Sequence, residues 1–174
     1  MKMLYWLTNN ADLCTAITSI CSMVIAMVAL LLSLYSIQSQ IKFNKKSIVP
    51  ICDVVFGDYE ECLFVNIKNV GLGTMIIDSV NCTNMRTGES ENILVNLLPD
   101  VDQKWEDFSG ALEKKAVSAG TEICIIKIRP KNDRIKKILR NHLQNISISV
   151  EYRDLYDKKY VYFQELSFFG RLLR

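Results

Sequence analysis

The feature that most constrains this chain is an uncharged apolar run near its start. From Leu13 to Ile37 the sequence reads LCTAITSICSMVIAMVALLLSLYSI, without a single Asp, Glu, Lys or Arg. A helix of that length exceeds the roughly 30 Å thickness of a bilayer's hydrocarbon core. The run leaves no polar face to point at water, so the sequence predicts one membrane-spanning helix.

A secretory signal peptide is the alternative for this segment. The apolar run is too long for one, Asp12 separates it from Lys2, and no small-x-small cleavage signal follows it. Two crossings are excluded by length, because polar sequence begins at Gln38. Aromatic residues at Tyr5, Trp6 and Tyr35 suit the two headgroup interfaces. A single-pass anchor is therefore expected.

The basic residues around the run predict its orientation. Only Lys2 precedes it, whereas Lys42, Lys45 and Lys46 follow within a few residues. Basic residues favour the cytoplasmic side, so the C-terminal domain is expected in the cytoplasm. The same three lysines lie in a basic juxtamembrane linker that suits anionic lipid headgroups. We divide the chain into a tail and transmembrane helix at 1–38, this linker at 39–49 and a soluble β domain at 50–174.

One face of the predicted helix carries small residues at four-residue spacing, namely Thr18, Ser22 and Ala26. Small side chains let two helices approach closely in lipid. The spacing predicts self-association through the helix, although small residues are also common in membrane helices that remain single.

Beyond Pro50 the pattern changes to short β-rich runs separated by turn residues. About seven strands are predicted, and helical crossovers are nearly absent, which indicates an antiparallel β-sandwich (Ig-like) or a small barrel. The expected strands are Ile51 to Phe56, Cys62 to Asn69, a run from Thr74, NILVNLL from Asn92, Glu122 to Ile128, Ser147 to Tyr152, and a run from Tyr160.

One segment, Lys131 to Gln144, has the periodicity of a short amphipathic helix. Ile135, Ile138, Leu139 and His142 are expected on its buried face. The basic residues on and just before the helix are the candidate contacts for an anionic ligand or partner. They are Arg129, Arg134, Lys137 and Arg140, and the alternatives are inner-leaflet lipid, a cytosolic nucleotide signal, an acidic protein patch or an ordinary solvated face.

Several function classes find no support in the composition. The formal net charge of +2 provides no field for a nucleic acid polymer. The six cysteines contain no Cys-x-x-Cys pair, so we expect small buried thiols in a reducing compartment and neither metal nor redox chemistry. His142 is the only histidine, and no nucleophile or ligand spacing accompanies it. The prediction is a non-enzymatic protein without a cofactor or metal.

The sequence Asn69-Val70-Gly71-Leu72-Gly73 superficially suggests a phosphate-binding loop. The segment that follows it is β-rich, so the helix N-terminus that such a loop needs is missing. A strand-to-strand turn is predicted, with glycine supplying a positive φ.

Taken together, several features resemble uncharacterised bacterial single-pass membrane proteins with a cytosolic β-sandwich domain. These features are the single span, the basic linker, the proline-led strand, the Asn-x-Gly-x-Gly turn, and the late aromatic hairpin around Tyr152 and Tyr160. In that group a Pro-Ala pair often follows the second glycine, whereas Thr74 and Met75 stand here. The resemblance implies an architecture and assigns no active site.

Two functions fit this plan. The first is a membrane-anchored interaction or scaffolding module, whose strand edges or amphipathic helix bind a protein partner. The second is a signal-gated membrane effector, for example in bacterial anti-phage defence, whose β domain senses a ligand or assembles and whose helices cluster and disturb the bilayer. The expected partners are the lipid bilayer, further copies of the chain, and a protein or an anionic small molecule.

Overall fold

The computed structural model describes residues 10–101 and 104–172. The chain divides into two compact units, Met1–Lys46 and Ser47–Arg174. The first contains almost all of one long helix, and the second contains every strand found in the described residues.

The long helix, α1, comprises Ala11–Ser47, and none of its residues is buried. Its most apolar 18-residue window has a mean hydropathy of 2.4, so α1 is long and apolar enough to cross a membrane. At 1.5 Å per residue a helix of 37 residues is about 55 Å long, which exceeds the apolar core of a bilayer. Because α1 ends at Ser47, the predicted juxtamembrane linker, 39–49, is helical over most of its length.

The described residues of the second unit, 47–101 and 104–172, form nine strands and one short α-helix, α2, at Asp133–Leu143. The strands in chain order are β1 Cys52–Asp58, β2 Leu63–Asn69, β3 Met75–Asn84, β4 Ser90–Glu91, β5 Asp107–Phe108, β6 Lys115–Val117, β7 Glu122–Ile128, β8 Ile146–Arg153 and β9 Lys159–Glu165. Two 3₁₀ helices lie at Leu94–Leu97 and Ser167–Leu172.

The strands form two antiparallel sheets. One has the order β1-β2-β7-β5, and the other has the order β4-β3-β8-β9 with β6 also paired to β3. Strand β3 pairs with β8 from Ile76 to Asn84, so β4 and β6 share its opposite side, one near each end. This mainly β arrangement is consistent with a β-sandwich.

Alternate residues of the long strands fill one hydrophobic core. In β2 the buried positions are Leu63, Val65, Ile67 and Asn69, and β8 buries Ile146, Ile148 and Val150 in the same manner. Side chains with period two point to one face of a strand, so the alternation seen in the sequence becomes the core-facing side of each sheet. Phe169 and Leu166 close the core after β9.

The strand predicted from Asn92 is wrong, because Leu94–Leu97 forms a 3₁₀ helix. Leu94 and Leu97 are both buried, and a three-residue repeat places such side chains on one side of a 3₁₀ turn. The short strands β4, β5 and β6 were not predicted, since two or three residues carry too little pattern. The amphipathic helix is confirmed as α2.

Candidate interaction surface

The N-terminus of α2 is capped by Asn132. Its side-chain oxygen accepts a hydrogen bond of 2.9 Å from the Ile135 amide, which satisfies one of the unpaired donors of the first turn. The helix buries Lys136, Leu139 and Leu143, while Ile138 remains 36% exposed. The buried face is therefore rotated from the predicted one and includes a lysine.

Two cations of α2 face a buried carboxylate at the end of β1. Arg140 holds Asp58 with two parallel hydrogen bonds, Nε to Oδ2 at 2.9 Å and Nη2 to Oδ1 at 2.7 Å. The Asp58 side chain has 0% exposure and that of Arg140 has 12%. Lys136 Nζ lies 3.8 Å from the same carboxylate and donates to the backbone carbonyls of Tyr59 and Glu60. A fork of this kind is among the strongest ion-pair geometries, so these groups attach α2 to the sheet.

The candidate anion-contact residues are thus not gathered into one site. Arg140 faces Asp58, and Arg129 lies before the helix with its Nε 3.0 Å from Glu106. The hydrogen bond from Lys127, together with the charge of Arg129, lowers the pKa of Glu106. On α2 itself the exposed cations are Arg134 and Lys137.

The Asn69 loop is a strand-to-strand turn, as predicted, but glycine serves a different purpose there. Positive φ among the described glycines occurs at Gly88 and Gly120, not at Gly71 or Gly73. A Cβ on either of the latter two would collide with the backbone of residues 48–51. Glycine is required here because another segment passes too close for any side chain.

The Asn69 side chain links four backbone groups at this corner. Its amide donates to the carbonyls of Gly73 at 2.7 Å and Val117 at 3.0 Å, and its oxygen accepts from the amides of Gly71 at 3.0 Å and Ile51 at 3.3 Å. The residue has 0% exposure, so this pairing satisfies a buried polar group completely. The loop is structural.

Most outer strand edges of the two sheets are short or covered. Strands β4, β5 and β6 have two or three residues each. Strand β1 is longer, but the Cys52 amide donates to the Tyr152 hydroxyl at 3.3 Å, and the Val54 backbone hydrogen-bonds the Tyr162 hydroxyl. Tyrosines of the second sheet therefore cap two outer backbone groups in the first half of β1, and short or covered edges resist pairing with other chains.

Strand β9 differs from these edges. It has seven residues, pairs with β8 along its whole length, and has no strand on its other side among the described residues. Val161 is 69% exposed and Phe163 is 59% exposed, both on the outward face. The strand lacks proline, and its register with β8 shows no bulge. It is a long open edge with apolar side chains, of the kind that pairs with another strand.

The turn before β9 is fixed by Asp154. Its Oδ1 accepts from the amides of Tyr156 at 2.8 Å and Lys158 at 3.0 Å, and the Tyr160 hydroxyl donates to Oδ2 at 3.1 Å. Burial opposes ionisation of Asp154, but these hydrogen bonds outweigh it and lower the pKa. Asp154 is only 5% exposed, so its carboxylate is part of the folded turn and not of the solvated surface.

A cavity of about 410 Å³ lies beside β9 and is lined by Arg153, Tyr160 and Val161 among others. Arg153 and Lys159 both line the cavity, together with the carboxylates of Asp78 and Glu151. Arg153 is flanked by Asp78 at 3.3 Å and Asp157 at 3.0 Å, so carboxylates already balance the charge of this guanidinium. The cavity therefore does not constitute an anion site.

The residues predicted for packing between membrane helices and those predicted for contact with lipid headgroups all lie on α1. Thr18, Ser22 and Ala26 are exposed on the helix, and the Thr18 hydroxyl donates to the carbonyls of Cys14 at 2.9 Å and Thr15 at 2.9 Å. The hydroxyl is thus satisfied within the helix. Lys42, Lys45 and Lys46 are exposed near its end.

Fold and surface together define a class of protein: a mainly β domain with an open strand edge, preceded by a helix long enough for a membrane. Within residues 10–101 and 104–172, no group of three or more His, Cys, Asp or Glu side chains is arranged for a metal ion. No protein-family model matches the chain, and no curated protein matches its sequence.

The open edge of β9 was not located by sequence reasoning, which named strand edges only in general. The signal was present in the seven residues Lys159-Tyr160-Val161-Tyr162-Phe163-Gln164-Glu165. Apolar residues occur on both faces of this strand. A strand with only one face on the core normally alternates apolar with polar, so two apolar faces indicate a second contact.

Proposed function

We propose that this chain is a membrane-anchored, non-catalytic interaction module that binds a protein partner along the open edge of β9. The observation that carries the proposal is that edge: seven residues with no described strand paired to their outer side, and with Val161 and Phe163 exposed. Backbone pairing along such an edge contributes affinity, and alternate side chains contribute specificity. The function requires no catalytic residue, cofactor or metal.

In this proposal the β domain is a sandwich of two separate sheets and not a barrel. The two sheets have no strand pairing between them among the described residues. Where β1 approaches β9, tyrosine side chains bridge the gap, with the Tyr162 hydroxyl 3.1 Å from Asp53 Oδ1. A sandwich keeps its outer strand edges, and a partner can add a strand there.

The apolar helix supports the membrane part of the proposal. Side chains such as Leu32 at 64% exposure and Ile25 at 68% form an apolar surface along the helix. Such a surface is stable in lipid and costly in water. The exposed lysines Lys42, Lys45 and Lys46 favour a cytoplasmic β domain by the excess of basic residues on that side.

A membrane anchor also assists binding at β9. Confinement to one plane raises the effective concentration of the domain for neighbours in the same membrane. A modest affinity of the partner for the edge of β9 is then enough to keep that edge occupied.

The second candidate function is a membrane effector whose helices cluster. It is favoured by the helix face around Thr18, Ser22 and Ala26, whose Thr18 hydroxyl is satisfied within α1 and so leaves a smooth small-residue surface. Expression of an effector should cause dye leakage and growth arrest, both abolished by Ser22→Ile with Ala26→Ile. A scaffold should cause neither effect.

Membrane anchorage is tested by alkaline carbonate extraction of membranes from cells that express the full chain. The wild type should stay in the membrane pellet. A variant with Val28→Asp and Leu31→Asp, which places two charges in the apolar run, should be released. Release of the wild type itself would contradict the anchor.

The role of the β9 edge is tested by a photo-cross-linking residue at Phe163 in the full chain. Proline at Val161 removes an outward N–H without breaking the pairing to β8, and a proline ring blocks an incoming strand. We expect cross-linked adducts in the wild-type background, their loss with Val161→Pro, and their retention with the isosteric control Val161→Thr. Adducts unchanged by Val161→Pro would contradict the proposal.

A further inference from the structure

We propose that the partner at β9 is the β9 strand of a second copy, paired antiparallel about a two-fold axis at Tyr162. The inference rests on the proposed function, because it uses the same edge. It adds the identity of the partner and the register of the pairing.

The backbone of β9 determines which groups face the open side. Bonds from Asp154 N to Lys158 O at 3.0 Å and from Leu166 N to Ile146 O at 2.9 Å bracket the pairing with β8. Hydrogen-bonded residues alternate along an antiparallel strand, so the even residues of β9 bond to β8. The backbone groups of Lys159, Val161 and Phe163 therefore point to the open side.

The backbone groups of Glu165 point to the open side as well. Its carbonyl accepts a local bond of 2.9 Å from the Gln164 side chain. A second strand would exchange that local bond for a backbone bond, whereas the groups at Val161 and Phe163 would gain partners outright. The centre of the strand therefore gains most from pairing.

The outward side chains of β9 are self-complementary in one antiparallel register. With Tyr162 opposite its own copy, Val161 faces Phe163 of the second chain, and Lys159 faces Glu165. Two apolar pairs then lie at the centre, built from side chains that are 69% and 59% exposed in the single chain. Opposite charges lie at both ends, and such cross-strand pairs stabilise a sheet.

Neighbouring registers lose this match. A two-fold axis at Tyr160 or Val161 places Lys159 against Val161 or Phe163. An axis at Phe163 or Gln164 places Glu165 against one of the same two apolar residues. Parallel alignment brings like charges together. Complementarity thus selects the register centred on Tyr162.

The neighbouring strand accommodates the apolar cluster. On β8, Ser149 pairs with Phe163 and Glu151 pairs with Val161. The small Ser149 leaves space on the outward face beside the Phe163 ring. An isologous interface of this type uses the same patch on both subunits, as expected for a two-fold dimer.

The test uses charge variants of the full chain in nonionic micelles, with the dissociation constant of the dimer measured by sedimentation. Lys159→Glu places a new carboxylate against Glu165 at both ends, and Glu165→Lys places a new ammonium group against Lys159. Each single variant should weaken the dimer about tenfold or more, since two attractive pairs become repulsive. The double variant Lys159→Glu with Glu165→Lys should recover wild-type affinity.

Mixing the two single variants gives the decisive result. In a mixed dimer, the new carboxylate of the Lys159→Glu chain faces the new ammonium group of the Glu165→Lys chain. At the other end the unchanged Glu165 of the first chain faces the unchanged Lys159 of the second, so both ends are complementary again. At a concentration at which each single variant alone is mostly monomeric, we expect the mixture to form heterodimers. Mixtures no more dimeric than the separate variants would overturn the inference, as would single variants that dimerise like the wild type.

Failure of this inference is distinguishable from failure of the proposed function. If Val161→Pro abolishes the Phe163 adducts but the charge variants leave self-association unchanged, β9 binds a different protein and only the inference fails. If Val161→Pro has no effect on the adducts, both fail. Because rescue occurs in the mixture and in the double variant, misfolding of one single variant cannot produce the expected result.

Discussion

The carboxylate of Asp58 and the guanidinium of Arg140 meet in two parallel hydrogen bonds of 2.9 and 2.7 Å, with the Asp58 side chain entirely buried. The two residues are 82 positions apart in sequence. Their pairing joins the last residue of β1 to the last turn of α2, and a second cation, Lys136, lies 3.8 Å from the same carboxylate.

Replacement of Asp58 by Asn should destabilise the β domain severely. The change leaves Arg140 and Lys136 buried without a counter-charge, and breaking a buried pair in this way costs about 3–5 kcal/mol. Urea unfolding of the full chain in nonionic micelles measures the free energy of unfolding. The control Arg134→Gln alters an exposed cation of the same helix and should change it by no more than about 0.5 kcal/mol. Equal effects of the two variants would contradict the role of Asp58.

Replacement of Gly73 by Ala should disturb the Asn69 corner. The new Cβ would overlap the Ile48 carbonyl, which is backbone and cannot rotate away. We expect a loss of about 1–3 kcal/mol from overpacking, measured by the midpoint of thermal unfolding. Gly110→Ala is the matched control, since its Cβ would meet nothing within 4 Å, and should leave the midpoint almost unchanged.

The β8–β9 turn should lose stability at acidic pH through Asp154. Its pKa is lower in the folded chain than its ordinary value, which the unfolded chain retains. The stabilisation is therefore complete above the unfolded pKa and is lost as pH falls through the folded pKa. Stability measured against pH should fall on the acid side in the wild type and fall less with Asp154→Asn. Parallel profiles for the two proteins would contradict this assignment.

The core thiols should react only after unfolding. Burial, with a smaller effect of the Asp53 carboxylate, raises the pKa of Cys52 to about 12, and burial alone raises the pKa of Cys82 to about 12. At pH 8 the reactive thiolate is then roughly one part in ten thousand. Maleimide labelling read by peptide mass should leave both residues unmodified in the native chain and modify both in urea. Native labelling at the rate of half-buried Cys62 would be the contrary outcome.

Local pattern was sufficient to predict the long elements. The uncharged run predicts α1, strict alternation in Leu63, Val65 and Ile67 predicts β2, and apolar periodicity predicts α2. Each of these signals lies within one segment. The prediction of small apolar cysteines also holds for Cys52 and Cys82, which are buried, and all six cysteines are free.

The remaining features depend on neighbours distant in sequence. Lys136 and Arg140 look solvent-facing on a helical projection, yet they point inward because Asp58 of β1 lies beside them. Gly73 looks like a turn residue, but the approach of Ile48 explains it. The orientation of β9 follows from sheet order, which no single segment encodes. The sequence of β9 therefore indicates a second contact, whereas only the order of the strands shows that β9 is an open edge.

The covering of β3 by β4 and β6 limits how far an assembly can grow. A sheet with two bare sides can add chains indefinitely and become a filament. Here one side of the sheet is already occupied by the chain's own short strands. Pairing through β9 therefore joins two chains and leaves no long open edge for a third. The domain is thereby suited to a closed pair of fixed size instead of a growing fibre.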